Sequence, residues 1–477
     1  MRVRGTRRTS FGLRGISAPL LGAVALISAS PSSAAMRLAS SEAEPDACHI
    51  RPINFEGWQA QEVSNRWVRL IVVPRLGGRL MQVTFAGHPY LFVNPEWKGK
   101  YIPPSEAAPQ GKWINYGGDK IWPMPEGTED EQHWPGPVSD ALDDGDYSFR
   151  IVEQGASCAV QLDGPADVKT GLQYSREFRL KNNSTEIFFR ATMKNVSSHP
   201  TRWSVQSVTQ YDTSDAKSPT QFNHNFWAFA PVNLRSAYLG GFHVRSGLAD
   251  DPSFSVQDGL FSLHWLPLQN EVWIDSPGDW LAVVDAQTQF AMVERFHYQP
   301  NAEYPGKASI IFYKNGPSFG VDDRGMPVVS SNAAGNALHY MEGELNSPLI
   351  DLAPGQSYSM ETEWFPTRSD RDLKSVTSSG IVHEPLSVTS EAQGYSLTGV
   401  FSPLVPGILQ LRFYNKHGII SRAQLLQSAS PAEIVKFRQH IERNPDVVRV
   451  SLHLVAGADA DYGALGEAWL PAGDRGP

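Results

Sequence analysis

From about residue 50 to about residue 366 the chain reads as one short strand after another, with almost no helical periodicity, and this narrows the fold more than any other feature. Segments such as Arg66–Val73, Met81–Phe85, Glu186–Lys194, Arg202–Thr209, Trp280–Asp285, Ser309–Tyr313 and Leu338–Leu345 are rich in β-branched and aromatic residues and are bounded by turn formers. No blade-length repeat separates them, so a propeller is set aside and a large antiparallel sandwich, mainly β, is expected. Composition agrees, because 40 Gly and 35 Pro punctuate a chain with 22 Phe, 15 Tyr and 13 Trp. At 41% hydrophobic and 19% charged, the sequence fits neither a disordered polyampholyte nor an integral membrane protein.

Polar residues Thr367 to Ser379 mark a boundary, giving a sandwich over 50–366, a linker over 367–384 and a small accessory domain over 385–477. That last domain reads as β-rich or α+β. Strands such as Ile408–Tyr414 and Val447–Val455 flank a segment in which Ser430-Pro431-Ala432-Glu433 has the form of a capping box. Ile434, Phe437 and Ile441 follow at helical spacing, so a helix is expected there until Asn444-Pro445.

The first 35 residues have the organisation of a signal peptide. Five arginines precede the apolar run Ala18–Ile27, and Ser32-Ser33-Ala34-Ala35 supplies small residues for cleavage. The run is too short for a bilayer, which needs about 20 residues. A periplasmic or secreted protein without a membrane span is expected. Without those arginines the net charge moves from −9 to −14. An acidic chain with no basic run is a poor partner for nucleic acid. Cys48 and Cys158 are the two cysteines, and either one disulfide or two thiols fits the sequence. Zinc-ligand spacing is missing, and so are a nucleophile elbow, a phosphate loop and a dinucleotide fingerprint. No cofactor is expected from motifs, although oxygen ligands for Ca²⁺ leave no short signature, and Asp143-Asp144-Gly145-Asp146 reads either as such a cluster or as a turn.

Several segments carry a resemblance. They are Val73-Pro74-Arg75-Leu76-Gly77-Gly78-Arg79-Leu80, Phe92–Glu96, Asn115-Tyr116-Gly117-Gly118-Asp119-Lys120-Ile121-Trp122-Pro123, Trp203–Gln206, and Tyr340-Met341-Glu342-Gly343-Glu344 with Leu352-Ala353-Pro354-Gly355. In this order they resemble an uncharacterised bacterial family with the galactose mutarotase-like supersandwich fold, akin to aldose 1-epimerases. The resemblance covers about 50–366. It implies a saccharide ligand on a concave sheet and, by extension, proton transfer at an anomeric carbon, where a carboxylate deprotonates the anomeric hydroxyl and an acid protonates the ring oxygen.

Strand alternation puts Tyr340, Glu342 and Glu344 on one face and Met341, Gly343 and Leu345 on the other. The resemblance makes Glu342 or Glu344 the candidate base; a solvated sheet face is the other reading. The Asn115–Trp122 segment reads as a loop in which Asn115, Asp119 and Lys120 contact hydroxyls beside the Trp122 ring, with Glu126, His133 and Trp134 further along the same cleft. The alternative is an internally bonded turn on which Trp122 merely packs. The epimerases carry a catalytic histidine where this chain has Trp203–Asp212 without one. His224 is the nearest substitute in sequence, and Lys120 is another proton donor. Arg295, with Lys307, reads either as a contact for an acidic sugar or as edge charge.

Three functions follow. The first is an epimerase-like enzyme, with glycosidase or lyase chemistry ranked behind it. The second is a glycan-binding module without catalysis, and the third an envelope scaffold. The sequence leaves the oligomeric state open.

Overall fold

A computed structural model describes residues 47–104, 113–138, 141–316, 338–457 and 460–471. Residues 1–35, read above as a signal peptide, lie outside the described residues, and the described residues all fall in one compact unit, Glu44–Pro477.

Two large antiparallel sheets, of twelve and ten strands, face each other across a core. The strands of the first sheet that matter below are β1 (Asp119–Met124), β2 (Thr201–Asp212), β3 (Asn270–Ile274), β4 (Ile310–Asn315) and β5 (Tyr340–Asn346). They lie side by side in the order β3, β4, β5, β2, β1. Every adjacent pair is antiparallel. Successive side chains point to opposite faces of such a sheet, so β5 sends Met341 and Leu345 into the core between the sheets while Tyr340, Glu342 and Glu344 share the outer face. Gly343 stands where the Tyr211 ring and Leu281 press on the strand, with 3.2 Å and 3.5 Å to a would-be Cβ.

Part of the second sheet is buried on both faces. Strand Trp280–Asp285 has no exposed residue. Leu281 and Val283 join the core between the two large sheets, and Trp280, Ala282 and Val284 join a second core shared with the C-terminal residues. Those residues form two four-stranded sheets, so the accessory domain is a β-sandwich docked on the outer face of the ten-stranded sheet. The polar stretch after the large sandwich is strand only at Thr367-Arg368 and at Ser375-Val376, which pairs with Ile381 and Val382. Thr367 and Arg368 finish Ser357–Arg368, and Gly380–Glu391 opens the next sheet.

The expected helix after Ser430 is instead the strand Val435–Glu442, paired with Gly394–Pro403 so that Phe437 faces Gly399 and Ile441 faces Tyr395. Ser430 does cap a local turn: its Oγ accepts the Ala432 N–H at 3.1 Å and its carbonyl accepts from Glu433 at 3.2 Å. Beyond that turn, Val435, Phe437 and Ile441 are buried on one face, with Gln439 half-buried, while Lys436, Arg438, His440 and Glu442 are exposed on the other. Pairing with a neighbouring strand overrides the local helix signal.

Cys48 and Cys158 are joined by a disulfide, their Cα atoms 5.9 Å apart. It ties the start of the edge strand His49–Phe55 in one sheet to Ser157–Ala166 in the other. Among the described residues no helix is long and apolar enough to cross a membrane.

Candidate functional site

The outer face of β1–β5 holds a cavity of about 500 Å³. Register assembles it. Glu342 lies opposite Gln210 of β2 and Tyr313 of β4, and Tyr313 in turn lies opposite Glu271 of β3. One row along, Glu344 is opposite Ile311, which is opposite Trp273, and Gln206 is opposite Trp122. The segment after β1 closes the cavity with Glu126, Gly127, Pro137 and Val138, and Trp113 stands beside Trp122 with ring centroids 5.6 Å apart.

The walls are aromatic and the polar groups are carboxyls. Trp113, Trp122, Trp273, Tyr313 and Tyr340 line the cavity together with Glu126, Glu271, Glu342 and Glu344. Met124, Ile311 and Ala308 pack with Trp273 into a small apolar floor. That ring rests on Gly306, whose φ is +53° and where any Cβ would lie 1.9 Å from the indole.

The carboxyls differ in surroundings. Glu342 Oε1 accepts from Lys120 Nζ at 2.9 Å and from Gln210 Nε2 at 2.7 Å, and neither bond uses Oε2. Glu344 Oε2 accepts from Gln206 Nε2 at 2.5 Å. Burial, reinforced by the neighbouring Glu342, raises the Glu344 carboxyl well above the usual carboxylate range. Glu126 stands exposed at the cavity rim, yet desolvation by the walls around it raises it to about 7, with Glu271 and Glu342 adding to the shift. Glu271 is also raised by burial, although its bond from the Trp273 indole opposes this. Near neutral pH the cavity therefore contains protonated carboxyls beside an ion-paired one.

One aspartate behind the cavity holds two of its tryptophans. The indole N–H groups of Trp113 and Trp122 donate to Asp143 Oδ2 and Oδ1 at 2.8 Å and 2.7 Å, and Asp143 pairs with the fully buried Arg79 at 2.9 Å. Asp144 pairs with the same guanidinium at 3.2 Å. The acidic run that invited a calcium reading is thus a short helical turn, Ala141–Asp144, neutralised by Arg79. Among the described residues no three His, Cys, Asp or Glu side chains converge as ligands for a metal.

Of the residues singled out in the sequence, Glu342, Glu344, Trp122 and Glu126 line the cavity, and Lys120 is buried behind it, its Nζ 4.6 Å from the Trp122 centroid. Trp134 is fully buried and backs Trp122 at 5.3 Å. Asn115 serves the turn before β1, where its Oδ1 accepts from Gly117 N at 3.0 Å. Gly117 there has φ +94°, and a Cβ would sit 2.2 Å from the Phe92 carbonyl oxygen. Asp119 points the other way. It is buried between the sheets, paired with Arg176 and flanked by the hydroxyls of Ser207 and Thr209, because Asp119–Met124 is a strand and not a loop.

His224 and Arg295 lie elsewhere. His224 is exposed and packs on Phe222 at 4.2 Å, ahead of a strand of the ten-stranded sheet. Arg295 sits in Phe290–Phe296 of that sheet, opposite Glu363. His133 pairs with Asp130 at 2.7 Å outside this cavity. Glu271, Trp273, Tyr313 and Arg245 escaped the sequence reading, yet Glu271–Trp273 carries the same signal as Glu342–Glu344, two functional side chains at i and i+2 on a strand whose other face is apolar.

A larger cavity, about 860 Å³, lies between the ten-stranded sheet and the C-terminal sandwich, with charged walls such as Arg368, Asp370 and Lys436 and no aromatic platform. The smaller one is the better receptor for a ligand with both apolar and hydroxyl surface.

No protein-family profile matches the chain, and no curated protein matches it. Solved structures that are similar to it include a TPR-domain containing protein from Parabacteroides distasonis, at 13% identity and TM-score 0.42 over 67% of this chain. The chain spans about half the length of that protein, 49%. A galactose mutarotase-like protein from Clostridium acetobutylicum aligns at 11% identity and TM-score 0.42, covering 68% of this chain and 99% of that one. A galactose mutarotase related enzyme from Lactobacillus acidophilus aligns at 10% identity and TM-score 0.37, covering 69% of this chain and 100% of that one.

Proposed function

We propose that the protein is an exported carbohydrate-binding protein that interconverts the anomers of a sugar held on the outer face of β1–β5. One observation carries this reading: a carboxyl raised to about 7, Glu126, and an ion-paired carboxylate, Glu342, line a single aromatic-walled cavity. Sugars present apolar C–H faces and dense hydroxyls, which suit indole walls and carboxyl rims. Glu342 Oε2 takes the proton from the anomeric hydroxyl while the protonated Glu126 donates to the ring oxygen. The C1–O5 bond then breaks, giving the open-chain aldehyde, and the ring recloses on the other face with the two protons returned. The reaction is an isomerisation and needs no co-reactant. Glu126 fills the role left by the absent strand histidine, and its value near neutrality suits general acid work at that pH.

A disulfide between Cys48 and Cys158 supports export, since such bonds persist in oxidising compartments. A binding module without turnover is the second reading, favoured by the engagement of Glu342 Oε1 with both Lys120 and Gln210, which ties this carboxylate into the wall of the cavity.

Solution NMR with a panel of neutral, acidic and amino sugars tests the proposal by following saturation transfer and anomer exchange together. Accelerated exchange that is abolished in Glu342→Gln is expected. Saturation transfer with no acceleration for any sugar would leave a binding module, and no transfer from any sugar would remove the cavity from consideration.

A further inference from the structure

The cavity holds more carboxyls than anomer exchange requires. Four line it, against two cations among the described residues: Lys120, already paired with Glu342, and Arg245, which also lines it, lies 5.6 Å from the Trp273 centroid and acts on Glu271 through its charge. Glu126, Glu271 and Glu344 make no ion pair among the described residues, and Glu271 and Glu344 accept from the neutral donors Trp273 and Gln206. An independent sign of a missing ligand is Gln206 itself. It is 3% exposed and lines the cavity, and its Oε1 acceptor has no hydrogen-bond partner among the described residues. A buried acceptor left empty costs about 1–3 kcal/mol, so the site is built to receive a donor there. The tryptophan faces beside it also favour a cation, through the ring quadrupole.

Resting on the reading of this cavity as a sugar site, we propose that its ligand is an amino sugar, a hexose with a free protonated amine, whose ammonium donates to Gln206 Oε1 and sits against Glu344 and Glu271. Neutral hexoses offer donors for Gln206 but no cation to favour the ionised form of Glu344 and Glu271, and a uronate would place a negative charge beside them. The entering ammonium favours the charged form of its carboxyl neighbours, so binding releases protons to solvent at pH 6.

Titration calorimetry of the full chain at pH 6, in two buffers of different ionisation enthalpy, compares glucosamine with glucose and N-acetylglucosamine, and galactosamine with galactose. In at least one set the amine is expected to bind about tenfold more tightly than its neutral counterparts, or better, with protons released only for the amine. Glu344→Gln and, separately, Glu271→Gln are expected to narrow the ratio of amine to neutral-sugar affinity. Neutral sugars that bind as tightly as their amines overturn the charge preference and leave the sugar site standing. Binding by neither class overturns both. The wild-type comparison decides without any variant, so a misfolded substitution does not obscure the result.

Discussion

Two carboxyls, Glu126 at the cavity rim and Glu294 in the core, show how environment divides one residue type into different roles. Glu126 must be protonated to act as the acid, so turnover should fall as pH rises through about 7, and Glu126→Gln should remove that alkaline limb together with most of the rate. An anomer-exchange pH profile checks this, and a limb that survives in Glu126→Gln would assign the acid elsewhere. Glu294 lies in the core between the sheets, bonded by the Tyr211 hydroxyl, and burial raises it to about 8. Because its folded value is above the unfolded one, the unfolded chain loses this proton first. Stability therefore declines between roughly pH 4.5 and 8, by on the order of 1 kcal/mol per pH unit, and levels off beyond. Glu294→Gln should gain on the wild type across that window in denaturant melts; a difference that does not change with pH would count against the assignment. Side chains also show where the sequence stopped being readable. Asp119 and Lys120 are neighbours in the chain, and read as a loop both were free to face a sugar. As β1 they point to opposite faces, one to Arg176 between the sheets and the other to Glu342 at the cavity.

Single strands were legible where one face alone is buried. The alternation of Tyr340, Glu342 and Glu344 with Met341 and Leu345 is found as read, and the cavity is built on it. Val435–Glu442 was not legible, because Phe437 and Ile441 satisfy a helical spacing and a strand spacing at once, and only the partner Gly394–Pro403 decides between them. The turn Ala141–Asp144 stays open between two readings in the sequence for a related reason: nothing near it in sequence announces Arg79, which pairs with both of its aspartates from a strand. That turn also makes Asp143 a positioning residue, since it fixes both indole walls without itself lining the cavity. Asp143→Asn replaces one acceptor oxygen by a donor and so strands one indole N–H. A loss of about 1–3 kcal/mol in ligand affinity is expected, seen as a KM increase of roughly tenfold with kcat changed far less, and as a red shift in tryptophan emission. Equal losses in both constants, with emission unchanged, would mean that the wall does not depend on this contact.

At the scale of the whole molecule, the C-terminal sandwich is part of the main fold's support. An antiparallel sheet with one wet face alternates apolar and polar residues, whereas Trp280-Leu281-Ala282-Val283-Val284 and Phe290-Ala291-Met292-Val293 are apolar throughout. Those runs show in the sequence that something covers the second face, although they do not say what. The cover is the region read as a separate accessory domain, with Ile381, Phe401, Leu409 and Leu452 in one core with Phe229, Trp280, Val293 and Phe365. The connection is bonded as well as packed: Thr367 Oγ1 donates to the Pro403 carbonyl at 2.7 Å and Thr185 Oγ1 to that of Leu404 at 2.5 Å. A chain ending at Arg368 would expose this apolar face, and contiguous patches of that kind drive association. It should therefore aggregate or bind a hydrophobic dye on expression, even though every residue lining the sugar cavity is retained. Co-expression of the missing segment, 369–477, should restore solubility if burial of that face is the cause. A truncated chain that is monomeric, with an unchanged melting temperature, would show that the large sandwich is stable alone and that the C-terminal sheets serve another end.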